Sequence, residues 1–250
     1  MLRSIRLPIA LLFVITAFTN FSSPVNTTGS SSFFININDS AKTITAEENT
    51  KKIIVADKYS LMDLDKKGLS KKAFDLALKG YDHLVQKRLV HNKNILTVID
   101  FSKPSNEKRL FVIDLKNNKV LFQSLVAHGR NSGLDYATSF SNQDDSHKSS
   151  LGFYVTLNTY SGECGYALKL KGCEKGFNDK AYERAIVIHG SEYVTEKFLH
   201  SNGFVGRSWG CPALPEKISK KVIDVIKNGT CLFLYHPTKK YLMNSPVLKG

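Results

Sequence analysis

Two short segments of this 250-residue chain carry side chains that could do chemistry together. The first is His189-Gly190, at the end of the apolar run Ala185-Ile186-Val187-Ile188. The second is Ser208-Trp209-Gly210-Cys211-Pro212. A thiol attacks as its thiolate, so it needs a base nearby and donors for the oxyanion formed at a carbonyl. A histidine closing a buried strand is held firmly enough to be that base. A Gly-Cys step on a tight turn lets backbone N–H groups approach a substrate oxygen, because glycine has no Cβ in the way. The two parts lie 22 residues apart, so the loop between them must fold back to unite His189 with Cys211. The residue types point to thiol acyl transfer, with Cys211 as nucleophile and His189 as base.

The neighbours of that pair are candidates for shaping the site. Ser208 is expected to hydrogen-bond within the Cys loop rather than attack, since G-x-S-x-G is taken to be absent and a thiolate is far more reactive near neutral pH. Gly210 is expected to supply backbone geometry, with N–H groups near Gly210 and Cys211 as oxyanion donors. Trp209, the single tryptophan, either faces substrate or packs under the loop. A rival histidine, His128, sits in Leu125-Val126-Ala127-His128-Gly129. It either lines the cleft or is a satisfied structural residue. A substrate carboxylate is matched by a planar guanidinium. Arg207, beside the motif, is the first choice, Arg130 the next, and Arg184 a further candidate. Gly190 is grouped with the substrate-binding residues, whereas His200 in the intervening loop is expected in solvent.

At these residues the chain resembles the murein L,D-transpeptidase catalytic domains, whose signature is His-Gly, a loop, then Ser/Thr-x-Gly-Cys. The resemblance covers roughly Ile95–Pro237, and FSKPSNEKRLFVIDL, LVAHGRNSG, SSLGFYV and GRSWGCPALP look like one branch of the family. Two positions depart from the family's pattern: Trp209 stands where His is common, and Ala213 where an Arg often follows the cysteine. The nucleophile and base carry over, while carboxylate recognition by that Arg does not. The resemblance implies a sandwich-like β fold and peptidoglycan stem peptides as substrate. It also implies a backbone carbonyl orienting the imidazole, and 3-3 cross-links as product. Water as acceptor would instead give an L,D-carboxypeptidase or endopeptidase. A non-catalytic wall-binding module is the rival of another class. No metal or organic cofactor is required.

The elements that must position these residues are mostly strands. Ile95–Phe101, Leu110–Leu115, Val120–Ala127, Gly152–Leu157, Ala185–His189 and Thr230–Tyr235 are β-rich, with Asn117-Asn118 a turn between the second and third. A helix follows the Cys motif: Pro215 starts it, Ile218, Val222, Ile223, Val225 and Ile226 form its apolar face, and Asn228-Gly229 ends it. Strands and helices do not alternate regularly, which argues against a doubly wound parallel sheet. The fold class expected is mainly β, a sandwich with a helical N-terminal extension over 57–94 and a catalytic domain over 95–237. In that extension Ser70 caps a helix carrying Ala73, Phe74, Ala77, Leu78, Tyr81, Leu84 and Val85 at helical spacing. Gly80 is expected to weaken it by about 1 kcal/mol. Residues 238–250 read as a C-terminal tail, and Ser139–Ser150 as a loop at the cleft rim or elsewhere.

Composition bounds the rest. A hydrophobic share of 42% with 23% charged residues is that of a globular protein. Arg3 and Arg6 before the apolar Leu7–Phe18 read as a signal peptide over 1–20, followed by a Ser/Thr/Asn-rich linker over 21–56. Export to the periplasm or cell envelope is therefore expected, an uncleaved anchor being the alternative. The formal charge of +13 suits peripheral contact with anionic wall or membrane surfaces. Nucleic acid is not an expected partner, because no recognised motif appears and the lysines are scattered. Four cysteines in an oxidising compartment make a Cys164–Cys173 disulfide conceivable. Cys231, in CLFLY, reads as a buried hydrophobe. The cysteine spacings match no structural zinc site.

Overall fold

The computed structural model describes residues 58–250, so the expected leader and linker lie outside the described residues. Eight strands make one sheet in the order β3-β2-β1-β8-β4-β5-β6-β7. They are β1 Ile95–Asp100, β2 Leu110–Asp114, β3 Lys119–Ser124, β4 Gly152–Gly162, β5 Gly165–Gly172, β6 Val187–Ser191, β7 Ala213–Pro215 and β8 Cys231–Tyr235. The chain is mainly β, as its strand-rich pattern predicts. Most neighbours are antiparallel, but β1–β8 and β6–β7 are parallel. The central strands β1 and β8 are buried at every position, which suits the β-branched, leucine and aromatic residues that make up most of them.

Helix α1, Lys71–Gln86, starts at Ser70, whose Oγ accepts from Ala73 N–H at 3.1 Å. Its buried face is Ala73, Phe74, Ala77, Gly80 and Leu84. Gly80 has a packing role beyond its propensity cost: a Cβ there would overlap the ring of Phe153 on β4. Phe153 in turn stacks on Phe233 of β8 at 4.1 Å between centroids. The glycine lets helix and sheet approach.

Several elements differ from the sequence reading. Strand β4 runs on through the polar Asn158–Gly162 into a hairpin with β5, which the reading left out. The lysines of GYALKLKG hid an alternating strand. Lys169 is accommodated because its ammonium lies 5.3 Å and 5.8 Å from the ring centroids of Tyr160 and Tyr182. The loop between the two motifs contains α2, Glu196–Asn202, capped by Thr195 and ended by Gly203. Helix α3, Glu216–Ile226, follows the Cys motif as expected, burying Val222, Ile223 and Ile226.

Residues after Pro237 form α4, Lys239–Asn244, and α5, Pro246–Lys249, which bury Tyr241, Val247 and Leu248. They are tied to the sheet by the buried Glu174, which accepts from Phe153 N–H at 2.7 Å and Tyr241 OH at 2.9 Å, and from Ser245 Oγ.

The conceivable Cys164–Cys173 disulfide is absent, and all four cysteines are free. Cys164 occupies the β4–β5 hairpin tip, whereas Cys173 follows the far end of β5. An eight-residue extended strand separates them, several times the Cα separation a disulfide tolerates. Among the described residues no helix is long and apolar enough to cross a membrane.

Candidate active site

Strands β6 and β7 bring the two motifs together. They run parallel with His189 opposite Ala213. The same register sets Cys211, two residues before Ala213, beside Val187, two residues before His189. The sulfur reports that placement: Val187 N–H donates to Cys211 Sγ at 3.4 Å, and the thiol faces Ala185 O at 3.8 Å. Both Cys211 and His189 line a cavity of about 890 Å³. Among the described residues no hydrogen bond joins the thiol to the imidazole. Two residues of extended strand, roughly 6.6 Å of rise, lie between their positions.

The imidazole is oriented by its own chain. His189 Nδ1 donates to Gly190 O at 2.9 Å. A carbonyl can only accept, so the proton sits on Nδ1 and Nε2 keeps its lone pair. Burial lowers the His189 pKa, with the Gly190 bond opposing, and the ring is neutral near pH 7. Burial likewise pushes the Cys211 thiol up to about 11, against the opposing influence of the Val187 N–H. The resting pair is thiol and neutral imidazole, not an ion pair.

The Cys loop is held by Ser208. Its Oγ donates to Cys211 O at 2.6 Å and accepts from Gly210 N–H at 3.0 Å. Gly206-Arg207-Ser208-Trp209-Gly210 does have the G-x-S-x-G spacing of serine hydrolases, which the sequence reading wrongly took to be absent. Ser208 is 5% exposed and its hydroxyl is committed to the loop. The same bond removes Gly210 N–H from the expected oxyanion donors. Cys211 N–H donates to no acceptor among the described residues and keeps that capacity. Gly210 has φ +124°, and a Cβ there would lie 2.9 Å from both Ile186 Cδ1 and Lys148 O. Only glycine fits this turn without displacing them.

The arginines divide by task. Arg207 lines the cavity while its Nη1 donates to Arg130 O at 3.3 Å and Gly133 O at 3.2 Å. Arg130 is not on the cavity lining; its guanidinium lies 5.7 Å from the Trp209 ring. Trp209 is 68% exposed, lines the cavity and stacks on His147 at 4.9 Å. It therefore does not pack under the loop. Arg184 is spent on structure: it donates to Ser141 O, Ser150 Oγ, Ser146 Oγ and Lys148 O. These bonds fasten the serine-rich segment 141–150 beside the Cys loop, and Ser149 Oγ adds a 3.3 Å bond to Gly210 O. Gly190 lines the cavity, and His200 is exposed.

His128 is corrected from a cleft candidate to a buried structural residue. It is 0% exposed and absent from the cavity lining. The Arg109 guanidinium, itself fully buried, donates to His128 Nδ1 at 2.7 Å, which places the proton on Nε2, 3.3 Å from Gly133 O. Burial and the adjacent Arg109 cation lower its pKa to about 3. Arg109 is held by Val126 O and Lys103 O, with Phe101 4.9 Å beneath it. Sequence reasoning missed this arginine because a cation ahead of an apolar run normally reads as surface.

A sequence profile described as the L,D-transpeptidase catalytic domain matches residues 65–235. The chain belongs to that family. The matched range includes α1. Solved structures similar to this L,D-transpeptidase chain include an L,D-transpeptidase from Mycobacterium smegmatis, 13% identical, with 57% of this chain and 59% of that one covered and a TM-score of 0.36. An L,D-transpeptidase from Mycobacterium tuberculosis H37Rv is 14% identical, covering 57% and 58%, with a TM-score of 0.35. The helical cell shape determining protein Pgp2 from Campylobacter jejuni is 15% identical, covering 64% and 54%, with a TM-score of 0.39. The chain thus spans less than two thirds of each of these. A search of curated proteins found no match.

Proposed function

We propose that this chain is an exported, cysteine-dependent peptidoglycan L,D-transpeptidase that forms 3-3 cross-links between stem peptides. The observation that carries the reading is the pairing of β6 with β7, which sets Cys211 and a neutral His189 with an available Nε2 in one cavity. Rotation about the Cys211 Cα–Cβ bond turns the sulfur from Ala185 O toward the imidazole when substrate enters. Catalytic hydrogen bonds often tighten only in the substrate complex.

The thiol proton passes to His189 Nε2 as sulfur attacks the carbonyl of the third stem residue. Cys211 N–H donates to the developing oxyanion. The tetrahedral species collapses to a thioester, and the imidazolium returns its proton to the departing D-alanine amine. An amine of a second stem attacks the thioester, releases the Cys211 thiol and leaves the cross-link. Arg207, at the cavity wall, is the carboxylate-binding candidate, since Arg184 is spent on structure and Ala213 is buried in β7.

The test is incubation of residues 21–250 with a defined disaccharide-tetrapeptide, followed by mass spectrometry. A dimer lighter by one D-alanine supports the reading. Tripeptide alone would make water the acceptor and the protein an L,D-carboxypeptidase. Unchanged substrate with Cys211 confirmed as free thiol would count for the wall-binding module.

A further inference from the structure

A second cavity, of about 510 Å³, is lined in part by the segment that Arg184 fastens. Its wall combines three kinds of group. Half-buried Phe140 and Phe177 supply ring surface, with the buried Tyr241 packed behind Phe177. Thr138, Ser139, Ser141, Asn142, Gln143 and Thr238 supply hydroxyls and amides. Lys180 and Lys240 supply charge, and no acidic side chain lines the cavity.

The rings are fixed in place. Phe140 stacks on Phe101 at 6.2 Å and lies 4.9 Å from His236, and Phe177 meets Tyr241 edge-on at 5.2 Å. Part of the polar wall is already engaged. Asn142 bonds Asp179 at the rim and accepts from Lys180 N–H, and Thr238 Oγ1 bonds His236. The Gln143 amide and the Lys180 and Lys240 ammonium groups make no side-chain hydrogen bond or ion pair among the described residues. A third ammonium, that of Lys148, reaches the same wall through Ser139 Oγ at 2.8 Å.

We propose that this cavity binds a carboxylate-bearing, N-acetylated sugar, as in a stretch of wall glycan whose lactyl groups carry no peptide. Ring faces pack on the C–H faces of pyranoses, amides and hydroxyls bond sugar hydroxyls and acetamides, and unpaired lysines select a carboxylate, the rim Asp179 being engaged by Asn142 and Gly176 N–H. A volume of about 510 Å³ is within the usual range for small-ligand sites, roughly 300–1,000 Å³. Residues 139–143 line this cavity, and the same segment, held by Arg184, bonds the Cys loop through Ser149 Oγ to Gly210 O. Glycan bound here is thereby kept beside the cavity that takes stem peptides. The proposal deepens the wall-enzyme reading, and its test does not depend on turnover.

Binding of the disaccharide N-acetylglucosaminyl-N-acetylmuramic acid, lactyl carboxylate free, is measured by NMR titration of the full chain. The expected result is saturable shifts at Phe140, Gln143 and Phe177, with at least tenfold weaker binding of neutral di-N-acetylchitobiose. The double variant Lys180→Glu/Lys240→Glu should lose at least tenfold in affinity for the acidic disaccharide while its Cys211 alkylates at the wild-type rate. Equal binding by the variant, equal competition from acetate, or shifts confined to Cys211 and His189 would overturn the proposal, as would no binding. Failure of cross-linking with these shifts present would count against the catalytic reading alone.

Discussion

Ser208 Oγ donates to Cys211 O at 2.6 Å, closing the turn that carries the thiol. The same oxygen accepts from Gly210 N–H, so one hydroxyl fixes both residues flanking the Cys211 N–H. Ser208→Ala leaves a carbonyl and an N–H unsatisfied, at about 1–3 kcal/mol for a buried group. We expect acyl-enzyme formation at least tenfold slower with circular dichroism unchanged. Wild-type acylation by this variant would show that the turn holds without the hydroxyl.

Cys211 and His189 rest uncharged, with burial holding the thiol at about 11. The thiol therefore needs its base at neutral pH. His189→Ala should slow acylation by roughly 10²–10⁴-fold at pH 7, the deficit shrinking as pH rises toward thiol ionisation. A pH–rate profile identical to wild type would move the base elsewhere.

Because burial, and then the Arg109 cation, hold His128 neutral, the fold should be acid-sensitive. Its pKa falls from 6.5 to about 3, so the unfolded chain takes up the proton first. Stability is complete above pH 6.5 and is lost as pH falls toward 3, at up to about 1.4 kcal/mol per unit. Urea unfolding of His128→Asn at pH 7 and pH 5 should show a smaller difference between the two pH values than wild type. An unchanged difference would assign the acid sensitivity to another group.

Gly80→Ala should destabilise, against the helix-propensity expectation of about 1 kcal/mol of gain. The added methyl meets the Phe153 ring, and overpacking costs about 1–3 kcal/mol. A lower Tm is expected. A higher Tm would mean that the helix moves off β4 without loss.

Alkylation under denaturing, non-reducing conditions should modify all four cysteines, as the free thiols require. A species two thiols short would restore the Cys164–Cys173 bridge and demand a different β5.

The sequence by itself determined what depends on local pattern. The capped helix from Ser70, the buried runs of β1 and β8, the helix after Pro215 and the His-Gly and Ser-x-Gly-Cys motifs were all legible, because period, caps and residue type report burial directly. The family followed from those motifs. Tertiary structure decided what depends on neighbours distant in sequence. The lysines of β5 and the polar end of β4 disguised a hairpin, and Tyr241 gave no sign that Glu174, 67 residues away, receives its hydroxyl. His128 and His189 look alike as histidines after apolar runs. One lies within 2.7 Å of a buried Arg109, whereas the other opens onto a cavity with the thiol. The Cys motif that follows His189 assigned it the base, but only the fold shows why His128 cannot serve, because a side chain's chemistry is set by the charges and solvent the fold puts around it.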